Sequence, residues 1–239
     1  IPCFDATATV GGGNDANTKV LLHFDELPCT DTAAGNTSPA AVTNSGVTLD
    51  TDNFKFGTAS AKFANSSNNL KVTVPQALMT SSPWLVDCWF KVDGGQWGDY
   101  LRIFTQDDEQ NGGWTYYLMS GNRVGVWVRN VTQGEPTSAA LTPDDWHYAT
   151  LVYYNAKFYG FVDGVRFTVQ DGSTEGFLNY IMLGKRIQST SYSLRGNIDE
   201  FRLQLLDESE ISKWIGATIP VPDAPYSKPQ TVGEWGKLN

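Results

Sequence analysis

Cysteine is scarce in this chain of 239 residues: Cys3, Cys29 and Cys88 are too few for a disulfide framework and lack the paired spacing of a zinc site. Histidine is scarcer still. Neither His23 nor His147 belongs to an H-E-x-x-H pair or follows a G-x-S-x-G elbow, so the commonest zinc-hydrolase and serine-nucleophile signatures are excluded. No run of about 18 apolar residues exists to cross a bilayer as a helix. Basic residues number 17 against 26 acidic, a net charge of −9, and that like-signed field disfavours non-specific binding to nucleic acid or an anionic membrane. The glycine runs at Gly11, Gly12 and Gly13 and at Gly94-Gly95 lack the Lys-Ser or strand-to-helix setting of a phosphate cradle and read as loops. The sequence opens at Ile1, with neither a start methionine nor a basic-plus-apolar leader, and displays no address of its own.

What is present is apolar and aromatic. Hydrophobic residues make up 41% and charged ones 18%, enough apolar surface to offset the entropy of ordering one sandwich-sized core. Residues 1–18 read as a flexible N-terminal arm, because three successive glycines leave the backbone unrestrained. From Lys19 to about residue 217, short apolar or alternating runs are separated by Gly, Asn, Asp and Pro clusters, the pattern of an all-β domain. The clearest predicted strands are 20–24, 60–63, 70–74, 85–92, 100–105, 114–119, 123–129, 147–154, 157–162, 165–169, 180–183 and 198–205. Gly121-Asn122, Asn155-Ala156 and Asp163-Gly164 suit tight hairpins needing positive φ, so the sheets are antiparallel. About twelve strands exceed one comfortable open sheet, and two stacked sheets follow. One short C-terminal helix is predicted: Asp207 and Glu210 have capping-box spacing, and Ile211, Trp214 and Ile215 share a helical face. Residues 218–239 begin with four prolines in eleven residues and read as an extended, polyproline-like tail.

The runs, taken in order, resemble a known family. KVLLHFDE, KFGTASAKF, LVDCWFKV, DDWHYATLVYY, FYGFVDGVRF, IMLGKR and GNIDEFRL are similar to the successive strands of laminin-G-like, concanavalin A-like jelly-roll domains. The run ending in Phe24-Asp25 and the closing Gly-x-Ile-Asp-Glu-Phe-Arg segment are the most telling, and the likeness covers Lys19 to about Ile215. It implies an all-β, two-sheet antiparallel sandwich that binds and does not catalyse. Domains of this family occur as extracellular glycan- or protein-binding modules and as decorating domains on tailed-phage particles. The implied setting is therefore a virion or extracellular surface, and the implied partner a glycan or a neighbouring structural subunit, with self-association a further option. Likeness of fold names no ligand.

The same resemblance implies a structural calcium ion, held by an acidic residue after the first strand and by the aspartate of the closing motif. Matched residue by residue these are Asp25 and Asp199, with carbonyls expected from the turn at Asn44, Ser45 and Gly46. Calcium needs six to eight oxygens at once, and the alternative is that Asp25 caps a loop while Asp199 makes a local hydrogen bond. Glu26 stands where a glycine commonly follows Asp25.

For ligand contact, strand alternation is the guide. Trp114, Tyr116 and Leu118 share one face of their strand, and Thr115, Tyr117 and Met119 the other. Val124, Val126 and Val128 form an apolar face opposite Trp127 and Arg129. Trp127, Arg129 and Tyr117, with Trp97 in a nearby loop, make a candidate patch for sugar rings or protein; the competing expectation is that Trp127 packs in the core and Trp97 closes a loop. Glycanase chemistry needs two carboxylates on one strand face, yet no run shows E-x-D-x-E or E-x-D-x-x-E, and the contiguous Asp107, Asp108 and Glu109 lie between strands. Cys88 reads as a small buried hydrophobe, and His23 and His147 as structural or exposed, with Trp146 in the core and His147 outward. A Cys3–Cys29 bridge would tie the arm to the sandwich in an oxidising compartment. Sequons at Asn36, Asn65 and Asn130 would accept glycans in a eukaryotic secretory pathway. A purely structural assembly protein, joined through its arms, and a concanavalin-like glycanase are the rival readings.

Overall fold

The structure is a computed structural model and describes residues 13–80, 83–98, 100–106, 113–129, 137–173, 178–187 and 192–227. In chain order the strands are β1 (Thr18–Leu22), β2 (Val42–Ser45), β3 (Thr48–Asp50), β4 (Ser60–Phe63), β5 (Asn69–Thr73), β6 (Trp84–Val92) and β7 (Leu101–Thr105). There follow β8 (Trp114–Met119), β9 (Arg123–Val128), β10 (Trp146–Tyr154), β11 (Lys157–Val162), β12 (Val165–Asp171), β13 (Tyr180–Leu183) and β14 (Gly196–Leu205). They form two antiparallel sheets. The eight-stranded sheet runs β12-β11-β10-β6-β14-β4-β3, with β1 added against β14, and the six-stranded sheet runs β2-β5-β13-β7-β8-β9. This is the expected two-sheet sandwich, and all twelve predicted strands are present within one or two residues at their ends.

Alternation along each strand decides what enters the core. In β6, Trp84, Val86, Cys88, Phe90 and Val92 face inward and meet Trp114, Tyr116 and Leu118 of β8 and Val124, Val126 and Val128 of β9. Trp84 sits at the centre, its ring 5.6 Å from Trp114 and 5.4 Å from Tyr153. Two polar bridges fix the sheets against each other: the Tyr116 hydroxyl donates to the Phe161 carbonyl at 2.8 Å, and Gln170 Nε2 donates to the Val126 carbonyl at 2.7 Å. Within the low-polarity interior such bonds specify one alignment of the layers. The three foreseen hairpins all take left-handed residues, with φ of 75° and 57° at Gly121 and Asn122, 50° and 55° at Asn155 and Ala156, and 48° and 77° at Asp163 and Gly164.

Several expectations are corrected. Strands β2 and β3, VTNS and TLD, are too short and polar to announce themselves, but each finds an edge, β2 on β5 and β3 on β4. A five-residue helix, α1 (Gln76–Thr80), links β5 to β6. The C-terminal helix is a 3-10 turn, Glu208–Lys213. Asp207 accepts from the amide and hydroxyl of Ser209 at 2.8 and 2.7 Å, while Glu210 pairs with Lys213, so no reciprocal capping box forms. Ile211, Trp214 and Ile215 nevertheless pack together, with Leu85, Val152, Tyr159 and Phe161, as a second small core on the outer face of the eight-stranded sheet. Trp146 and His147 have the opposite orientation to that expected. His147 lies across from inward-facing Phe90 and Trp146 across from Lys91, and the imidazole is admitted because both nitrogens are bonded, to Asp163 at 2.7 Å and to the Thr142 carbonyl at 2.8 Å.

Candidate functional site: the outer face of the six-stranded sheet

Inward positions of β7, β8, β9 and β13 are filled by the core, so their alternate residues lie on the opposite side of the sheet, where Thr105, Thr115 and Tyr117 are themselves fully buried and Lys71, Met182 and Trp127 are partly exposed. Register sets them in a row across five strands: Lys71 lies opposite Met182, Met182 opposite Thr105, Thr105 opposite Thr115, and Thr115 opposite Trp127. At about 4.8 Å per strand the row is about 19 Å long. Trp127 is half-buried, its indole on the surface side as alternation predicts. The Thr115 hydroxyl facing it is buried and has no hydrogen-bond partner among the described residues. Lys71 lays its ammonium 4.1 Å from the Tyr180 ring. None of the outward strand positions of this sheet is an aspartate or glutamate.

In the next row Tyr117 lies across from Gly125. Its ring rests directly on that glycine, where an added Cβ would fall 2.7 Å from the ring. Tyr117 belongs to a cluster that strand patterning did not reveal. Its ring centroid is 5.6 Å from that of Tyr100, the Arg102 guanidinium lies 5.6 Å from Tyr117 and 5.5 Å from Tyr192, and Tyr192 closes the circuit at 6.2 Å from Tyr100. Arg186 stacks on Tyr192 at 5.4 Å, and Arg102 Nη1 donates to the Tyr100 carbonyl at 2.6 Å. Arg102 reaches this face because a bulge between Arg102 and Phe104 shifts the register of β7, and Tyr192 arrives from a Ser/Thr-rich segment 75 residues beyond Tyr117. Planar guanidinium groups between aromatic rings are held in fixed orientation.

The four expected contact residues thus separate. Trp127 and Tyr117 share the face, Trp127 half-buried and Tyr117 fully buried as part of the ring cluster. Arg129 follows β9 half-buried, its amide bonded to the Gly113 carbonyl. Trp97 packs against the core from the β6–β7 connection, with its indole nitrogen buried. The acidic run 107–109 lies outside the described residues, as do Asn130 and Cys3.

The residues expected to hold calcium are all described in the structure but are not arranged for it. Asp25 and Asp199 grip the same loop from two ends. Asp25 Oδ1 accepts from the Thr58 amide at 2.5 Å and hydroxyl at 3.0 Å; Asp199 Oδ2 accepts from the amides of Lys55 and Phe56 at 2.8 and 3.1 Å, and its Oδ1 from Glu200 at 2.9 Å. Asn44 spends its side chain closing a turn onto Val47, and Ser45 lies opposite Asn69 in the other sheet. Calcium requires oxygens converging on one point; here N–H donors converge on the carboxylates, and no group of three or more His, Cys, Asp or Glu side chains able to hold a metal occurs among the described residues. Burial, above all, lifts the Asp199 carboxyl to about 7, against the pull of those amides. The residues as placed do not fit the ion.

The other buried carboxylates are engaged. Asp87, fully buried on the outer face of the eight-stranded sheet, accepts from Arg202 Nη2 at 2.5 Å, Arg202 Nε at 3.3 Å and the Tyr148 hydroxyl at 2.7 Å. Glu200 accepts from His23 Nδ1 at 2.7 Å. A cavity of about 250 Å³ is lined by His23, Phe24, Asp25, Glu26, Cys29, Thr30 and Thr32. Burial pushes the Cys29 thiol up to about 12 and raises the Cys88 thiol well above its ordinary value, which disfavours the thiolate at both. Cys88 is the small core hydrophobe expected of it.

Two packed antiparallel sheets in this strand order define a jelly-roll sandwich. Residues 65–212, more than half the chain, match the family described as the concanavalin A-like lectin/glucanases superfamily, in its laminin-G form, and the chain belongs to that family. Comparison with curated proteins gave no match. Among solved structures, the chain is similar to domain 4 of AbnA, an extracellular GH43 arabinanase from Geobacillus stearothermophilus, solved with arabinotriose. The TM-score is 0.63 at 17% identity, over 84% of this chain and 98% of that one. It is also similar to the botulinum neurotoxin serotype D binding domain (TM-score 0.61, 17% identity, 85% of this chain and 51% of that one). The binding domain of Paraclostridial Mosquitocidal Protein 1 is a third (TM-score 0.60, 14% identity, 83% and 52%). The chain spans about half the length of those two toxin chains, and at these identities the likeness is one of fold.

Proposed function

We propose that the protein is a non-enzymatic glycan-binding module of an extracellular or virion surface, and that the outer face of the six-stranded sheet, centred on Trp127, is where the sugar lies. The observation that carries this is Trp127, partly exposed at one end of a row with no carboxylate on it, beyond the buried Thr105 and Thr115. Sugar rings stack their C–H faces on indole and phenol rings, and Tyr192 with its stacked Arg186 extends the platform at the rim. Glycoside hydrolysis needs an acid and a second carboxylate facing one cleft. On the strands of this face there is neither, and Asp87, Asp199 and Glu200 on the other sheet are buried and bonded. Support from relatives is consistent in kind: the AbnA domain was solved with arabinotriose, and cell entry of botulinum neurotoxin type C depends on two ganglioside molecules.

The test is a panel of immobilised oligosaccharides, arabino-oligosaccharides and sialylated glycans included, read with the parent and with Trp127→Ala. Binding by the parent that drops at least tenfold in the variant, at unchanged melting temperature, supports the reading. No binding to any glycan, or reducing-end release from a polysaccharide, overturns it.

A further inference from the structure

We infer that the outer face of the eight-stranded sheet is a built receptor for the chain's own C-terminal segment, residues 218–227, with Tyr226 as its anchor. This clasp brings both ends of the folding unit to one point, on the opposite side of the sandwich from Trp127. The segment forms no helix or strand and is rich in proline, the composition of a solvated linker. It is nevertheless pinned at both ends. Thr218 forms an antiparallel bridge with Val165, and the Ile219 amide donates to the Gly164 carbonyl at 2.8 Å. After the exposed stretch Asp223, Ala224 and Pro225, the chain turns inward again at Tyr226, which is only 5% exposed.

Tyr226 meets a site with every feature of its side chain matched. Its hydroxyl donates to Asp87 Oδ1 at 3.2 Å and lies 3.0 Å from the Tyr148 hydroxyl. Its ring stands 4.0 Å from the Arg202 guanidinium carbon, and its amide donates to Glu200 Oε2 at 3.2 Å. A guanidinium–carboxylate pair at the middle of a sheet face would otherwise be open to water on one side; the phenol covers it and completes its bonds. Prolines 220, 222 and 225 hold the segment extended beforehand, so little chain entropy is lost when it docks.

The clasp also reaches the other end of the chain. The Ser227 carbonyl accepts from the Asn14 amide at 3.1 Å. Asn14 is buried, its side chain donating to the Thr32 carbonyl at 2.8 Å and accepting from the Ala34 amide at 2.5 Å. The neighbouring Asn17 carbonyl accepts from the Leu205 amide at 2.9 Å. Gly13 and Ser227 therefore lie side by side at the eight-stranded sheet. This inference stands on contacts of the eight-stranded sheet and does not rest on glycan binding.

Amide hydrogen exchange and thermal melting of the full-length chain, as the parent, Tyr226→Phe and Tyr226→Ala, test it. In the parent the amides of Tyr226 and Asn14 are expected to be protected. Tyr226→Ala should lower the melting temperature by several degrees and release both segments, Asn14 included, while β14 stays protected. Tyr226→Phe, which keeps the ring on Arg202, should fall between. Exchange of the Asn14 and Tyr226 amides at free-peptide rates in the parent would overturn the inference, and so would a melt unchanged by Tyr226→Ala. Should the alanine variant fail to fold, parent exchange and the phenylalanine variant decide. Sugar binding is expected to persist in Tyr226→Phe, so failure of the clasp and failure of the glycan reading are separately visible.

Discussion

Asp87→Asn is expected to be among the most damaging single-atom-scale changes available in this protein. The carboxylate is fully buried, and so is the Arg202 guanidinium that donates to both its oxygens; the hydroxyls of Tyr148 and Tyr226 take the remaining acceptor positions. The amide keeps the shape but removes the charge, leaving Arg202 as a buried cation without a counter-ion. Breaking such a pair from one side costs about 3–5 kcal/mol, a large part of the roughly 5–15 kcal/mol that holds a domain folded. At about 2–4 °C per kcal/mol for a chain of this size, the melting temperature should fall by roughly 6–20 °C. Removing both charges, Asp87→Leu with Arg202→Met, should recover most of the loss. The cation then no longer needs a partner, and the two tyrosine hydroxyls, 3.0 Å apart, retain each other. Urea denaturation of the parent, both single variants and the double variant gives the coupling energy directly. A cost below about 1 kcal/mol for Asp87→Asn, or a double variant as unstable as the sum of the singles, would refute the reasoning.

Three further outcomes are expected. For His147, burial lowers the pKa, but the hydrogen bonds to Asp163 and the Thr142 carbonyl and the Asp163 charge outweigh it and leave it raised. Its ion pair therefore contributes fully below about pH 6.5 and is lost as pH rises through the folded-state value; melting curves from pH 5.5 to 8.5 should show the gap between parent and His147→Gln narrowing with pH, and a widening gap would reverse the assignment. Gly125→Ala places a methyl carbon against the Tyr117 ring and should cost about 1–3 kcal/mol while disturbing near-ultraviolet dichroism from the tyrosine cluster; an unperturbed spectrum and melt would show that the ring does not rest there. Because amide donors occupy Asp25 and Asp199, a chelator should leave the melting temperature unchanged, and a fall of several degrees would show that a bound cation had been displaced.

The layers were legible because strand alternation and hairpin chemistry are local. LVDCWFKV places Trp84, Val86, Cys88 and Phe90 on one side by parity alone, and Asp163-Gly164 announces its turn through its need for positive φ. Half of the candidate site was legible for the same reason, since Thr115, Tyr117 and Trp127 follow from parity in β8 and β9. What failed did so for non-local reasons. The bulge in β7 redirects Arg102, and Tyr192 meets it across about ninety residues, so no window on the sequence contains the cluster. His147 violates polarity inside a strand, and only the arrival of Asp163 and the Thr142 carbonyl makes that tolerable. VTNS and TLD carry no apolar signal because edge strands need only one neighbour. Tyr226 was hidden by its own surroundings, a single aromatic in a proline-rich stretch whose partners come from three different strands.

The location of the sugar can be read from the indole N–H resonances during a titration with arabino-oligosaccharides or sialylated glycans. If the outer face of the six-stranded sheet is the binding surface, the Trp127 signal shifts with ligand concentration while those of Trp84 and Trp114, in the core, stay in place. A saturable shift at Trp89 or Trp214, on the other sheet, with Trp127 unmoved, would contradict it.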